Sequence, residues 1–106
     1  MAFPKIKNMR WVSEEVPDLI VVKIVMENRV QAEVGLMDPE EILINFYLDL
    51  SKLAGVKPWY PKGSDEPSEK ECLCDFMGID QVILNITIDQ IMEAWLFYKT
   101  FKQNKL

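Results

Sequence analysis

Two cysteines separated by one residue come closest, of all the side chains in this sequence, to a chemical motif. Cys72 and Cys74, with Glu71 and Asp75 beside them, could offer thiolates and carboxylates to a metal ion. The surrounding pattern predicts a helix over residues 67–77, on which positions i and i+2 point roughly 200° apart. Two thiols placed in this way cannot close on one ion. We therefore predict no metal site and no cofactor, and interpret both cysteines as small helix residues, at least one of them buried.

Acid–base and nucleophilic chemistry lack their commonest residue, because the sequence contains no histidine. Acidic clusters lie near residues 14–18, 38–41 and 65–69. They fit helix caps and solvated surfaces better than paired catalytic carboxylates. The serines have no histidine to activate them as nucleophiles. We therefore predict that the protein is not an enzyme.

The net charge of −5 disfavours nonspecific binding to nucleic acid and to anionic membranes. Residues 70–87 fit a helix-turn-helix spacing, but their second segment, residues 80–86, begins with an acid and contains no Arg or Lys. No apolar run is long enough to span a bilayer, and no signal peptide is recognisable. Two cysteines also suit a reducing compartment. These features predict a cytoplasmic protein whose partners are neither nucleic acid nor membrane.

The length of 106 residues predicts a single globular domain over residues 1–106, and residues 38–54 carry its clearest element signal. Asp38 is suited to cap a helix, Pro39 to its first position and Gly55 to its end. The apolar residues between them cover a wide face at 3.6 residues per turn. We therefore predict a core helix here, contacted from two directions.

The N-terminal third carries the strand signals. Residues 19–26 are apolar on both alternating faces apart from Lys23, which predicts a central strand. Residues 29–36 alternate between apolar and polar side chains, so a half-buried second strand and a hairpin are expected. Because a central strand needs another neighbour, residues 5–12 are expected to pair with it as a third strand.

Two patterns compete from residue 80 to residue 103. Apolar residues spaced alternately three and four positions apart favour one long helix. We prefer this helix because the alternative would need a very short loop between a strand and a helix. The alternative is a strand followed by a helix from residue 88, with Thr87 and Gln90 forming a capping box. With the longer helix, the sequence predicts an α+β fold. A small antiparallel sheet, formed by an N-terminal hairpin of two strands or of three with residues 5–12, would pack with about three helices at 38–54, 67–77 and 80–103.

Two surfaces are candidates for contact with another chain. Trp59 and Tyr60 lie between prolines in the longest loop, where a rigid aromatic pair suits a binding surface. On the predicted C-terminal helix, a second apolar stripe lies opposite the core stripe and would be buried against a partner. Its members are Ile86, Phe97 and Phe101.

These features favour a small acidic, non-catalytic intracellular protein that acts by protein–protein binding, as an adaptor, an inhibitor or an assembly factor. The alternatives are a structural homo-oligomer, such as a homodimer, or a metal or thiol site at Cys72 and Cys74. The expected partner is another protein or a second copy of the chain.

Overall fold

A computed structural model describes residues 2–27 and 41–104 of the chain. Across these ranges the backbone forms six strands, one short 3-10 turn and one α-helix. In chain order these are β1 (Met9–Trp11), β2 (Leu19–Glu27), β3 (Glu41–Asp49), the 3-10 turn (Leu50–Lys52), β4 (Leu53–Pro58), β5 (Cys72–Phe76), β6 (Ile79–Leu84) and α1 (Ile88–Asn104). All strand pairs are antiparallel and belong to one sheet. The prediction of a small sheet packed with about three helices is therefore wrong, because the described chain is dominated by its sheet.

Strand β2 lies at the centre of this sheet, as its run of β-branched residues predicts. Strand β3 pairs with the whole length of β2 on one side. On the other side, β1 pairs with residues 20–22, and β6 meets β2 where Leu84 lies opposite Ile24. The sheet continues from β6 through β5 to β4. The predicted pairing by residues 5–12 is thus confirmed, whereas the predicted strand at residues 29–36 lies outside the described residues.

One side of the sheet forms the core, and we call it the inner face. Strand alternation directs Ile20, Val22 and Ile24 to this face, and the strands beside β2 add further buried side chains, among them Leu48 and Leu84. Ile91 and Ala94 of α1 are fully buried in the same cluster. The helix therefore covers the inner face.

The opposite side, here called the outer face, carries the alternate residues of each strand. The register between strands brings these side chains together: Arg10, Val21, Lys23, Asn45, Tyr47, Lys57, Leu73 and Ile83. Arg10, Lys23, Asn45 and Tyr47 are exposed. Because α1 lies against the inner face, it leaves the outer face uncovered.

The predicted core helix at residues 38–54 is wrong over its described part, where β3, the 3-10 turn and the start of β4 replace it. Phe46, Leu48 and Leu50 are at least half-buried, whereas Asn45 and Tyr47 are exposed. This alternation is typical of a strand. On a helical projection the same apolar residues are spread over a wide arc, so they also fit the wide helix face that the sequence predicts. Pairing with β2 over nine residues decides in favour of the strand.

The predicted helix at 67–77 is also wrong, and the one predicted at 80–103 is wrong before residue 88. Strand β5 occupies residues 72–76, and β6 precedes a helix that begins at Ile88. The alternative of a strand followed by a helix is therefore confirmed. The capping box makes the short connection possible: the Thr87 N–H donates to Gln90 Oε1 at 3.0 Å, and the Gln90 N–H donates to Thr87 Oγ1 at 3.2 Å.

Candidate functional site

A polar cleft opens on the outer face where β1 begins and β6 ends along the same side of β2. Its volume is about 390 Å³. We call it the junction cleft, and it is lined by Asn8, Met9, Arg10, Val21, Val22, Lys23, Asn45 and Asn85. It exists because neither β1 nor β6 is long enough to cover that side of β2 alone.

Sheet geometry brings the two cations of the junction cleft together. Arg10 lies directly opposite Val21, so Lys23, two residues further along β2, is its diagonal neighbour. Such neighbours are separated by about 7–8 Å between Cα atoms, within reach of two long side chains. Among the described residues, no carboxylate lies within ion-pair distance of either cation. The cleft therefore holds positive charge that the described part of the chain does not neutralise.

Asparagine side chains supply the remaining polar groups of the cleft. Asn45 lies opposite Lys23 on β3, and the Asn85 backbone N–H donates to the Lys23 carbonyl oxygen at 2.7 Å on the other side. Lys23 is thus flanked by an asparagine on each side. Asn8 has a φ of 70°, a left-handed conformation that asparagine tolerates better than most residues. It turns the chain into β1 next to Arg10.

Two acidic side chains of the outer face, Asp75 and Asp49, are engaged elsewhere. Asp75 forms an ion pair with Lys57, with 3.6 Å between Oδ2 and Nζ. Asp49 Oδ1 accepts hydrogen bonds from both the backbone N–H and the hydroxyl of Ser51, at 2.9 Å and 2.6 Å. Neither carboxylate is therefore a ready counter-ion for the cations of the junction cleft.

The cysteine pair is not arranged as predicted. Cys72 and Cys74 lie in a strand, where positions i and i+2 face the same side, and their sulfurs are 3.8 Å apart. The expectation that at least one is buried is confirmed, since both are fully buried. The hydrogen bond with Cys72, then burial and the charges of Cys72 and Asp75, raise the pKa of Cys74 well above its usual range. The described residues include no cluster of three or more potential metal ligands.

Burial should make both thiols inert in the folded protein. We expect no reaction with a thiol-specific disulfide reagent in native buffer and two equivalents of reaction in urea. Cys72→Ala or Cys74→Ala should lower the free energy of unfolding by about 1–2 kcal/mol, because each removes a packed sulfur. Leu73→Ala, on the other side of the same strand, is the control in urea unfolding. Rapid labelling of the native protein would show that the thiols are accessible.

Trp59 and Tyr60 follow the last residue of β4 and begin the segment that leads to β5. The Trp59 side chain is half-buried, whereas Tyr60 is 52% exposed. The backbone carbonyl of Trp59 accepts a hydrogen bond from the Ser68 N–H at 2.7 Å, which closes the loop between them. The exposure of Tyr60 is compatible with a binding role, and partner binding by this pair stays a prediction.

The predicted stripe of Ile86, Phe97 and Phe101 is divided. Ile86 is fully buried in the core, so its placement on an exposed stripe is wrong. Phe97 packs against Phe3 and Trp11 of the same chain, with ring centroids 5.1 Å and 5.7 Å apart. The Phe101 ring lies 6.2 Å from that of Phe3. The N-terminal segment therefore gives both helix phenylalanines a partner within the chain, and their contact with another chain stays a prediction.

The residues of the junction cleft were not recognised as a site from the sequence. Arg10, Lys23, Asn45 and Asn85 come from four separate segments, and only the strand register brings them together. The one local signal is Lys23, the single charged residue within the apolar run 19–26.

Comparison with protein-family models, with curated proteins and with solved structures gives no match for this chain. Within residues 2–27 and 41–104, no helix is both long and apolar enough to cross a membrane.

Proposed function

We propose that the chain is a small, non-catalytic cytoplasmic protein that binds another protein on the outer face of its sheet. The observation that carries the proposal is that face itself, which α1 leaves uncovered and from which Tyr47 projects with 66% of its surface exposed. Exposed aromatic side chains are enriched among the residues that dominate protein–protein binding.

The surroundings of Tyr47 support a protein partner. Val21 lies opposite it on β2, and Arg10 lies beyond Val21 on β1. Leu73 and Ile83 add half-buried apolar surface further across the sheet. A mixed surface of this kind, with an aromatic residue and an arginine beside apolar side chains, is typical of protein interfaces.

The chemistry of the outer face supports a role in binding and not in catalysis. The junction cleft offers a guanidinium, an ammonium group and amides, but neither an imidazole nor a carboxylate among its lining side chains. It therefore lacks the usual groups for general-base catalysis near neutral pH. Two buried free cysteines suit a reducing compartment, which supports the cytoplasmic assignment.

Site-specific photo-crosslinking in cells tests this proposal. A benzophenone amino acid placed at Tyr47 should give a crosslink to a different protein, because its side chain would lie within the interface. The same amino acid at Tyr60, which is also exposed, tests the loop surface, and at Leu96 it provides a control on the exposed side of α1.

A Tyr47 crosslink that is lost on adding the change Leu73→Lys supports the outer face. Crosslinks from Tyr60 alone would overturn the proposal in favour of the loop. Crosslinks of the Tyr47 position to a second copy of the chain would favour the homo-oligomer instead. Equal yields at Tyr47 and Leu96 would mean that the crosslinks report chance encounters and would contradict the proposal.

A further inference from the structure

We propose that the junction cleft binds carboxylate side chains, so that the partner docks through an extended acidic segment. This inference rests on the proposed function, because it names the chemistry of the partner that the outer face would bind. The four groups that carry it are the side chains of Arg10, Lys23, Asn45 and Asn85, which the strand register gathers around one cleft.

Charge is the first argument. Arg10 and Lys23 are diagonal neighbours on one face, both are exposed, and no described carboxylate is within ion-pair distance of them. Glu14 lines the adjoining cleft together with Arg10 but forms no ion pair with it. Two unneutralised cations held by neighbouring strands repel each other. An anion bound between them is attracted to both, and this attraction outweighs the repulsion.

The asparagines are the second argument. Asn45 and Asn85 stand on either side of Lys23, and an asparagine side chain carries both N–H donors and a carbonyl acceptor. The donors can bind carboxylate oxygens, and the acceptor can take an N–H from the ligand's own backbone. A peptide with acidic side chains supplies both kinds of group, whereas an inorganic anion supplies acceptors alone.

The shape and overall charge of the protein also favour a peptide. A cleft of about 390 Å³ that opens on the sheet surface can admit a side chain from a longer, extended segment. The chain carries a net charge of −5, so it repels a polyanion such as nucleic acid at long range. A segment with a few carboxylates spaced among neutral residues meets much less of that repulsion.

The test uses a fluorescein-labelled peptide of twelve residues in which glutamate and serine alternate. We expect its binding, measured by fluorescence anisotropy at low salt, to weaken at least tenfold in Lys23→Gln and in Arg10→Gln. Lys62→Gln is the matched control, since it removes the same charge from an exposed loop lysine. Both cleft cations are exposed, so their replacement should leave the thermal unfolding temperature nearly unchanged.

Nuclear magnetic resonance gives an independent readout. The side-chain amide signals of Asn45 and Asn85 should shift on addition of the acidic peptide and stay in place on addition of a glutamine–serine peptide of equal length. A further variant, Asn8→Gly, suits the positive φ at that position while removing an amide from the cleft, and it should weaken binding by a smaller factor.

Three results would overturn the inference. The first is equal binding of the acidic and the glutamine peptides. The second is equal weakening by Lys62→Gln and Lys23→Gln, which would mean unspecific attraction. The third is much tighter binding of a single-stranded oligonucleotide, again sensitive to Lys23. If the acidic peptide does not bind the unaltered protein, and the Tyr47 crosslink forms there and persists in Lys23→Gln, this inference fails and the proposed function stands. If the Tyr47 crosslink is lost in Leu73→Lys but not in Lys23→Gln, the partner docks on the outer face without depending on carboxylate recognition by the cleft.

Discussion

Replacing Ile86 with alanine should lower the free energy of unfolding by about 2–5 kcal/mol, the range for removing a fully buried aliphatic side chain. Ile86 lies between β6 and α1 and is packed in the cluster that includes Leu84 and Ile91. Its truncation would leave a cavity where strand and helix meet. Urea unfolding followed by circular dichroism measures the change.

The control for this prediction is Ile83→Ala. Ile83 has the same side chain but is only half-buried and belongs to the outer face, so its replacement should be clearly less destabilising. The long helix predicted for residues 80–103 would instead place Ile86 on a partner-facing stripe. A negligible effect of Ile86→Ala, together with a large effect of Ile83→Ala, would therefore contradict the observed arrangement.

Strand β2 and helix α1 were predictable because their signals are local. The run 19–26 is rich in β-branched residues over a length that suits a buried strand, and the structure places the strand at Leu19–Glu27. Residues 88–102 are helical in both patterns considered for the C-terminal segment. Thr87 and Gln90 mark where that helix begins, and the structure contains the hydrogen bonds that they predict.

The sequence around strand β3 favours a helix, because its cap residues and widely spread apolar residues are stronger local signals than its alternation. Residues 45–50 alternate between exposed and buried positions, the period of a strand, although local capping signals before them favour a helix. Ladder pairing with β2 is a non-local interaction that a single sequence does not display. The error at residues 67–77 has the same origin, because Cys72, Cys74 and Phe76 alternate with two half-buried residues.

The junction cleft depends on the register between strands even more strongly than strand β3 does. Arg10 and Lys23 are neighbours only because β1 pairs with residues 20–22, and a shift of one residue would move Arg10 to the inner face. Asn85 reaches the same place through a backbone hydrogen bond to Lys23. No spacing in the sequence encodes these relations, so the cleft emerges only from the folded sheet.

The aromatic cluster of Phe3, Trp11, Phe97 and Phe101 leads to the second large expected effect. Phe97→Ala should lower the free energy of unfolding by about 2 kcal/mol, less than for a fully buried ring because Phe97 is half-buried. Phe3→Ala should also lower the free energy of unfolding, because it removes the same contact between the Phe3 and Phe97 rings. In a double-mutant cycle measured by urea unfolding, the pair should show a coupling of about 0.5–1.5 kcal/mol, as expected for edge-to-face rings 5.1 Å apart.

Leu96→Ala is the matched control on α1, since Leu96 precedes Phe97 but is 57% exposed and should contribute little to stability. Combined with Phe3→Ala it should give additive effects, because it points away from the cluster. Light scattering of the same variants tests whether Phe97 serves another chain. If Phe97→Ala converts a dimer into a monomer and shows no coupling to Phe3, the ring is held by a second copy, and its contact with the N-terminal segment contributes nothing to the fold. Coupling to Phe3 without any change in molecular mass would instead assign the cluster to the stability of the single chain, with the N-terminal segment anchored on α1 by its aromatic side chains.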